Sequence, residues 1–438
     1  MSVKTNIRAL ALKLLTSYER EGRFVNLLLN TAEARALLPT ERAFLCNLLY
    51  TTVENKLKYD YFISVFAKRP VSEIDSEVRD IIRLGMCQLY DMKSLPDFAV
   101  LNETVSLCRA KSARSFVNAV LRRASENKDT PPYPDENKNY NRYLSVRYSI
   151  PTALVRRYAN ILPKEELVPL FESFSRVAPL SLTVNLTKTS RDELLSELSY
   201  LDAGASKYSD KGIIVYKSAN PAEIKAFSDG RVFVQDEASR IAVEALGVKP
   251  CDKVIDVCAA PGGKSFLAAI LTGECGCVKS FELHESKLSL IREGAQRLSL
   301  GWINASARDA TNPDSELFCT ADAVIVDAPC SGLGVIGKKP DLRYKDLSAL
   351  AELPKLQYEI LNSSKHYLKT GGRLVYSTCT LNPEENERIT DKFISENPEY
   401  CYEDFSVGEL SSIDGKLTLY PHIHNTDGFF VAKIRKIK

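Results

Sequence analysis

The sequence predicts an α/β protein in which a Rossmann-like domain, residues 236–438, follows an all-α domain and a small α+β module. Three observations carry that reading. Residues 253–265, Lys-Val-Ile-Asp-Val-Cys-Ala-Ala-Pro-Gly-Gly-Lys-Ser, pass from a short apolar strand through a small-residue turn into an Ala-rich segment of helical character. That is the ligand-binding turn of a doubly wound sheet. Further strand patterns at 278–283, 305–308 and 323–326 carry or precede a carboxylate, Glu282, Asp309 and Asp327, so that three acids converge on one crevice. Residues 1 to about 125, in contrast, repeat their apolar positions only at helical spacing.

The bulk properties set the limits. A chain of 438 residues is too long for one ordinary core and should hold two or three domains. Fifty-eight basic residues against 56 acidic ones, a net charge of +2, exclude a histone-like polycation but leave room for a local basic face. There is no signal-peptide core and no run of eighteen apolar residues, so a soluble, cytoplasmic protein without a membrane partner is expected. The eleven cysteines include no C-x-x-C pair and no histidine cluster, which predicts neither a metal site nor a disulfide framework.

The all-α domain spans 1–128. Ile7, Leu10, Ala11, Leu14 and Leu15 share one helical face, as do Leu45, Leu48, Leu49 and Val53. Ile81, Ile82, Leu84 and Leu89 mark another helix, and Val117, Val120 and Leu121 a last one. Between 109 and 123 lie Arg109, Lys111, Arg114, Arg122 and Arg123 with no acid among them. This is either a solvated helix face or a footprint for a phosphate backbone. Residues 129–141 are polar and Pro-rich, which is linker chemistry. The module 142–235 shows helices near 151–158, 164–173 and 191–198 with strands at 181–185 and 213–216.

In the last domain the turn after the first strand narrows the ligand. A phosphate loop would need glycine where Cys258 stands, and no G-x-G-x-x-G is present. A nucleoside whose charged group is a carboxylate remains, and S-adenosylmethionine fits that description. Glu282 lies about twenty residues past the glycines, where such folds place a carboxylate on the ribose hydroxyls; a solvated acid at a strand end is the alternative. Asp327 leads into Ala328, Pro329 and Cys330, and after a helical region at 347–368 a strand at 373–377 leads into Thr378, Cys379 and Thr380. Two cysteines thus stand at the carboxyl edge of neighbouring strands. Such a pair suits methylation at carbon 5 of a cytosine, which needs a thiolate on carbon 6 to make carbon 5 nucleophilic and a base to remove its proton afterwards. The target base must also swing out of any helix.

The residues quoted above, with Gly334-Val335, Lys339-Pro340-Asp341, Pro383-Glu384-Glu385-Asn386 and Asp427-Gly428-Phe429-Phe430, resemble the RNA cytosine-5 methyltransferases. Arg42-Ala43-Phe44, Arg83-Leu84-Gly85, Val100-Leu101-Asn102-Glu103 and the run from Phe116 to Arg122 are similar to the NusB-like RNA-binding domain of the branch that modifies small-subunit ribosomal RNA. The resemblance covers nearly the whole chain. It implies a Rossmann-like S-adenosylmethionine-dependent methyltransferase domain with a seven-stranded sheet whose final strand, here 428–434, is antiparallel. Cys379 would be the nucleophile, Cys330 the group that assists release, and Asp327 the holder of the base edge near the cofactor. The backbone of Cys258, Ala259, Ala260, Pro261, Gly262, Gly263 and Lys264 would bind the methionine end, Glu282 the ribose and Asp309 the adenine side. The implied target is cytosine 967 of 16S ribosomal RNA, free or in an early assembly intermediate, with the enzyme a monomer that does not act on DNA. Methylation of transfer RNA or another ribosomal site stays open, as does a non-catalytic, NusB-like antitermination factor. Relatives usually carry an arginine where this chain has Thr183, which puts an RNA contact there in doubt, and the segment at 150–154 lacks their common tryptophan.

Overall fold

The computed structural model describes residues 6–92, 94–217, 220–346 and 348–438. They form two compact units, one of residues 1–175 with 339–345, the other of residues 176–338 with 346–438.

The first unit is helical. Asn6 caps the helix Ile7–Glu21 by accepting from the Arg8 and Ala9 amides, and Gly22 ends it at φ 64°, a left-handed conformation that suits glycine. Asp75 caps Ser76–Tyr90 in the same way. That helix is the hub: Ile81, Ile82, Leu84, Met86 and Cys87 are buried, and a β-carbon on Gly85 would come 2.7 Å from Leu121 of the helix Lys111–Glu126. Glycine therefore sets how closely these two helices pack. The five basic residues of 109–123 are all exposed.

The boundary expected at 142 falls elsewhere. The helices Tyr140–Tyr148, Thr152–Ala159 and Lys164–Ser173 belong to the first unit, while the strands that follow belong to the second. The Pro-rich stretch 129–141 is fastened to the first unit by Tyr133, whose ring packs edge-on at 5.4 Å against Phe62 and at 6.3 Å against Tyr143. Aromatic burial of this kind outweighs the polar, Pro-rich composition that suggests a linker.

The second unit opens with an antiparallel sheet of β1 (Leu180–Val184), β2 (Ala203–Ala205), β3 (Gly212–Val215) and β4 (Val232–Val234) in the order β2-β3-β1-β4. Thr183 on β1 is fully buried, its hydroxyl accepting from Arg240 at 2.9 Å and donating to Gln235 at 2.8 Å. This position faces the interior, and the buried cation there is Arg240 of the helix Glu237–Leu246.

The main sheet contains β5 (Lys253–Asp256), β6 (Cys277–Glu282), β7 (Ile303–Ala307), β8 (Ala321–Asp327) and β9 (Leu368–Thr378), all parallel. It runs β10-β14-β9-β8-β5-β6-β7, with β10 (Tyr400–Tyr402) and β14 (Phe429–Lys436) antiparallel to their neighbours. Where seven strands are expected there are eight. The short β13 (Lys416–Leu419) shares the outer edge of β14 with β10, pairing with residues 429–432 while β10 pairs with 434–436. A separate two-stranded ribbon joins β11 (Ser406–Val407) to β12 (Leu410–Ser411). The helical region expected over 347–368 is a helix at Leu353–Ser364 between 3-10 turns, and Leu347 lies outside the described residues. β9 begins at Leu368, five residues before the expected strand.

One cysteine expectation fails in part: Cys251 and Cys275 form a disulfide. The parallel register that pairs Lys253 with Cys277 brings the residues two positions upstream opposite each other. It is one bridge and not a framework. Among the described residues no helix is long and apolar enough to cross a membrane.

Candidate active site

The strand order reverses between β5 and β8, and the crevice beyond their carboxyl ends is where open α/β sheets place their chemistry. β5 ends at Asp256, and the chain turns through Gly262, at φ 116°, into the helix Gly263–Thr272. A side chain on Gly262 would strike the Phe266 ring at 2.4 Å, so this turn requires glycine both for its conformation and for space. Asp256 is fully buried. One of its oxygens accepts from Ser265 at 2.7 Å, with Ser280 behind at 2.8 Å, and the other has no protein partner. Burial pushes its carboxyl up to about 7 against the opposing pull of Ser265 and Lys264.

Lys264 extends from the first turn of that helix to Asp327 at the end of β8, Nζ to Oδ2 2.7 Å. Asp327 also accepts from Ser377 of β9 at 2.8 Å. Burial opposes the charge on Lys264, but the Asp327 carboxylate, with Asp256 and Cys379 beyond it, holds the ammonium above its usual range. The Phe429 ring lies 5.3 Å from this ammonium.

The two cysteines meet. β8 and β9 pair Asp327 with Ser377, so Cys330, three residues past one, and Cys379, two past the other, emerge side by side. Their sulfurs are 3.2 Å apart. Sharing a proton with Cys379, followed by burial, raises Cys330 well above an ordinary thiol. The loop carrying Cys330 continues to Gly334, whose amide donates to the Cys379 carbonyl at 3.0 Å and whose carbonyl accepts from Gly428 at 2.9 Å. Lys338 at its end is bonded to Asp236 and, at 3.0 Å, to Asp427. Burial and the facing Asp236 charge raise Asp427 to about 7.

Of the residues singled out in the sequence, Lys264, Asp327, Cys330 and Cys379 form one cluster. Cys258 is half-buried after β5, and burial, then the charges of Asp256, Asp327 and Glu282, raises its thiol. Ala259 is buried and Ala260 and Pro261 complete the turn. Glu282 ends β6 nearly buried, accepting from the His284 amide at 3.1 Å and from Lys287 at 3.2 Å. Asp309 is exposed beyond β7, one oxygen held by Thr311. Sequence reasoning gave no site role to Asp256, Gln235, Gln357, Glu385 or Asn386. The last two stand inside a quoted motif, and their spacing past Cys379 was the available signal.

The turn fits S-adenosylmethionine. Beside Gly263 lies the Gln235 amide, whose buried Nε2 has no protein acceptor and lies 3.6 Å from where a β-carbon on that glycine would stand. A donor without a partner there and the partnerless Asp256 oxygen suit the carboxylate and the ammonium of an amino-acid end. The helix N-terminus adds amide donors. Fold and site thus define a Rossmann-like S-adenosylmethionine-dependent methyltransferase.

Residues 243–435 match the family model of the 16S rRNA methyltransferases RsmB/F, and residues 5–126 match the NusB family. The chain is 34% identical, over 99% of both chains, to the probable ribosomal RNA small subunit methyltransferase B of Bacillus subtilis strain 168. The crystal structure of PH0851 resembles it over 100% of both chains with a TM-score of 0.80 at 23% identity. That of NSun6 from Pyrococcus horikoshii with SFG does so over 65% of this chain and 97% of that one, with a TM-score of 0.58 at 24% identity. The chain belongs to the RsmB/F family of ribosomal RNA methyltransferases, with a NusB domain at its N-terminal end, as the motifs imply. It is an enzyme that uses S-adenosylmethionine to methylate RNA.

Proposed function

We propose that this enzyme methylates carbon 5 of a cytosine in 16S ribosomal RNA, with Cys379 as the nucleophile and Cys330 as the base that permits release. The observation that carries the reading is the pair of sulfurs 3.2 Å apart beside the Lys264–Asp327 ion pair. Cys379 as thiolate adds to carbon 6, and the ring electrons shift to carbon 5. The backbone of 258–264 with Gln235 and Asp256 would hold S-adenosylmethionine, which would supply an electrophilic methyl group to that carbon, its S–CH3 bond breaking to leave S-adenosylhomocysteine. Glu282 takes the ribose and Asp309 stands on the adenine side. Asp327 accepts from the exocyclic amine of the cytosine, and Lys264 balances charge beside the thiolate.

Cys330 then has two states. While Cys379 is a thiolate, the shared proton keeps Cys330 a thiol. Once the Cys379 lone pair is in the bond to carbon 6, the leading cause of that high pKa is gone and the Cys330 thiol can release its proton to solvent. It removes the carbon-5 proton, the C5=C6 bond re-forms and the C6–S bond breaks. The exposed basic face of 109–123 supplies phosphate contacts, the substrate is RNA and not DNA, and the enzyme works as a cytoplasmic monomer.

Cys379→Ala should abolish methyl transfer. Cys330→Ala should accumulate a protein–RNA adduct, seen as a retarded band on a denaturing gel with 16S transcript and cofactor. Normal turnover by Cys379→Ala, or no band from Cys330→Ala, would overturn the assignment. Bisulfite sequencing of ribosomal and transfer RNA from cells with and without the protein should lose one signal in 16S RNA, at cytosine 967; a loss confined to transfer RNA would move the substrate.

A further inference from the structure

We infer that Glu385 and Asn386 are positioning residues for the two sulfurs, Glu385 setting Cys330 and Asn386 setting Cys379. The inference rests on the two-cysteine reading above and adds the device that holds the pair.

Asn386 is buried, and its side chain bridges the residues on either side of Cys379. Its Oδ1 accepts from the Thr378 hydroxyl at 2.5 Å and its Nδ2 donates to the Thr380 carbonyl at 2.9 Å. Glu385 is fully buried and receives three donors: the Ser331 amide at 2.8 Å, Gln357 Nε2 at 3.0 Å and Asn382 Nδ2 at 2.8 Å. Gln357 Nε2 donates at 2.9 Å to the Pro329 carbonyl as well. The residues immediately before and after each cysteine are therefore fastened, those around Cys379 by Asn386 alone and those around Cys330 by Glu385 together with Gln357. Ser331 Oγ and Thr380 Oγ1, 2.8 Å apart, join the two clamps.

A carboxylate in a dry interior is costly unless donors satisfy it. Here the donors are the parts whose position matters to the chemistry. Glutamine at 385 would keep the shape but offer one acceptor oxygen in place of two, so at least one of the three donors loses its partner. A sulfur displaced by about 1 Å from its reacting atom costs about 100-fold in rate. The clamps act on different sulfurs, so their loss should slow different steps.

The test uses the full-length enzyme, a 16S transcript and S-adenosylmethionine. Glu385→Gln should slow turnover about 10- to 100-fold while adduct formation stays within about 3-fold, so that the retarded band accumulates. Asn386→Ala should slow adduct formation itself about 10- to 100-fold, and should do so within Cys330→Ala too. Gln357→Leu, which removes the donor to Pro329 and Glu385, should behave like Glu385→Gln. Iodoacetamide labelling, read by mass spectrometry without RNA, gives an arm independent of mechanism. Glu385→Gln should change the labelling rate of Cys330 several-fold more than that of Cys379, and Asn386→Ala the reverse. Failure of Cys330→Ala to trap RNA would sink the catalytic reading, while the labelling still decides the positioning. Equal changes at both sulfurs in each variant, with cofactor binding lost in parallel, would overturn the inference and leave a general folding role.

Discussion

Asp256→Asn offers a quantitative check on how the ligand-binding turn is built. The wild-type carboxyl is fully buried, with the Ser265 hydroxyl donating to one oxygen. Burial lifts it from an ordinary 3.8 to about 7, which at about 1.4 kcal/mol per tenfold corresponds to about 4 kcal/mol as an upper value. Because the folded-state value is the raised one, the associated stability is complete below about pH 4. It is lost as pH climbs to about 7 and constant beyond. Asparagine keeps an oxygen for Ser265 and has no charge to bury. The wild type should therefore lose up to about 4 kcal/mol relative to Asp256→Asn between pH 4 and pH 8, with nearly all of the change below about pH 7. Trp302, the only tryptophan, donates to the Ala269 carbonyl at 2.8 Å on the helix that follows the turn. Its fluorescence in urea titrations at stepped pH thus reports on this unit. Curves for wild type and variant that stay parallel across the range would refute a buried, neutral-preferring Asp256.

Two further outcomes follow from the same cluster. Lys264→Met should move iodoacetamide labelling of Cys379 to higher pH. It should also cost about 1–3 kcal/mol in urea unfolding, below the value for a fully buried pair because the Asp327 side chain is 32% exposed; an unchanged labelling profile would remove Lys264 from the thiolate's environment. Gly334→Ala would place a β-carbon 1.9 Å from the Gly428 carbonyl oxygen, so two backbones must separate. Lower stability by about 2 kcal/mol or more and reduced turnover are expected, and a fully active, equally stable variant would contradict the close approach.

Much of the site is readable from the chain because its parts are local. The strand–turn–helix from Lys253 to Thr272 is written in consecutive residues, and so are the strand ends at Glu282, Asp327 and Cys379. The resemblance of the motifs to the family implies what these parts would do together. Less legible were the short edge strands β10 and β13, three and four residues long, which carry too little pattern to stand out from a loop. The helices at 152–159 and 164–173 read correctly as helices but not as members of the first unit, and the helix Tyr140–Tyr148 was not read at all, because nothing local says which neighbour buries them.

By itself, then, the sequence determined the longer elements of the catalytic sheet, their order, and which reactive side chains stand at strand ends. Only the tertiary structure decided that Lys264 meets Asp327, that Cys251 meets Cys275, that Thr183 faces inward, and that Glu385 and Asn386 fasten the two cysteine loops. Each of these depends on strand order and register between segments far apart in the chain. A local pattern fixes which face of a strand is apolar, but the partner across the sheet is chosen by the packing of the whole unit.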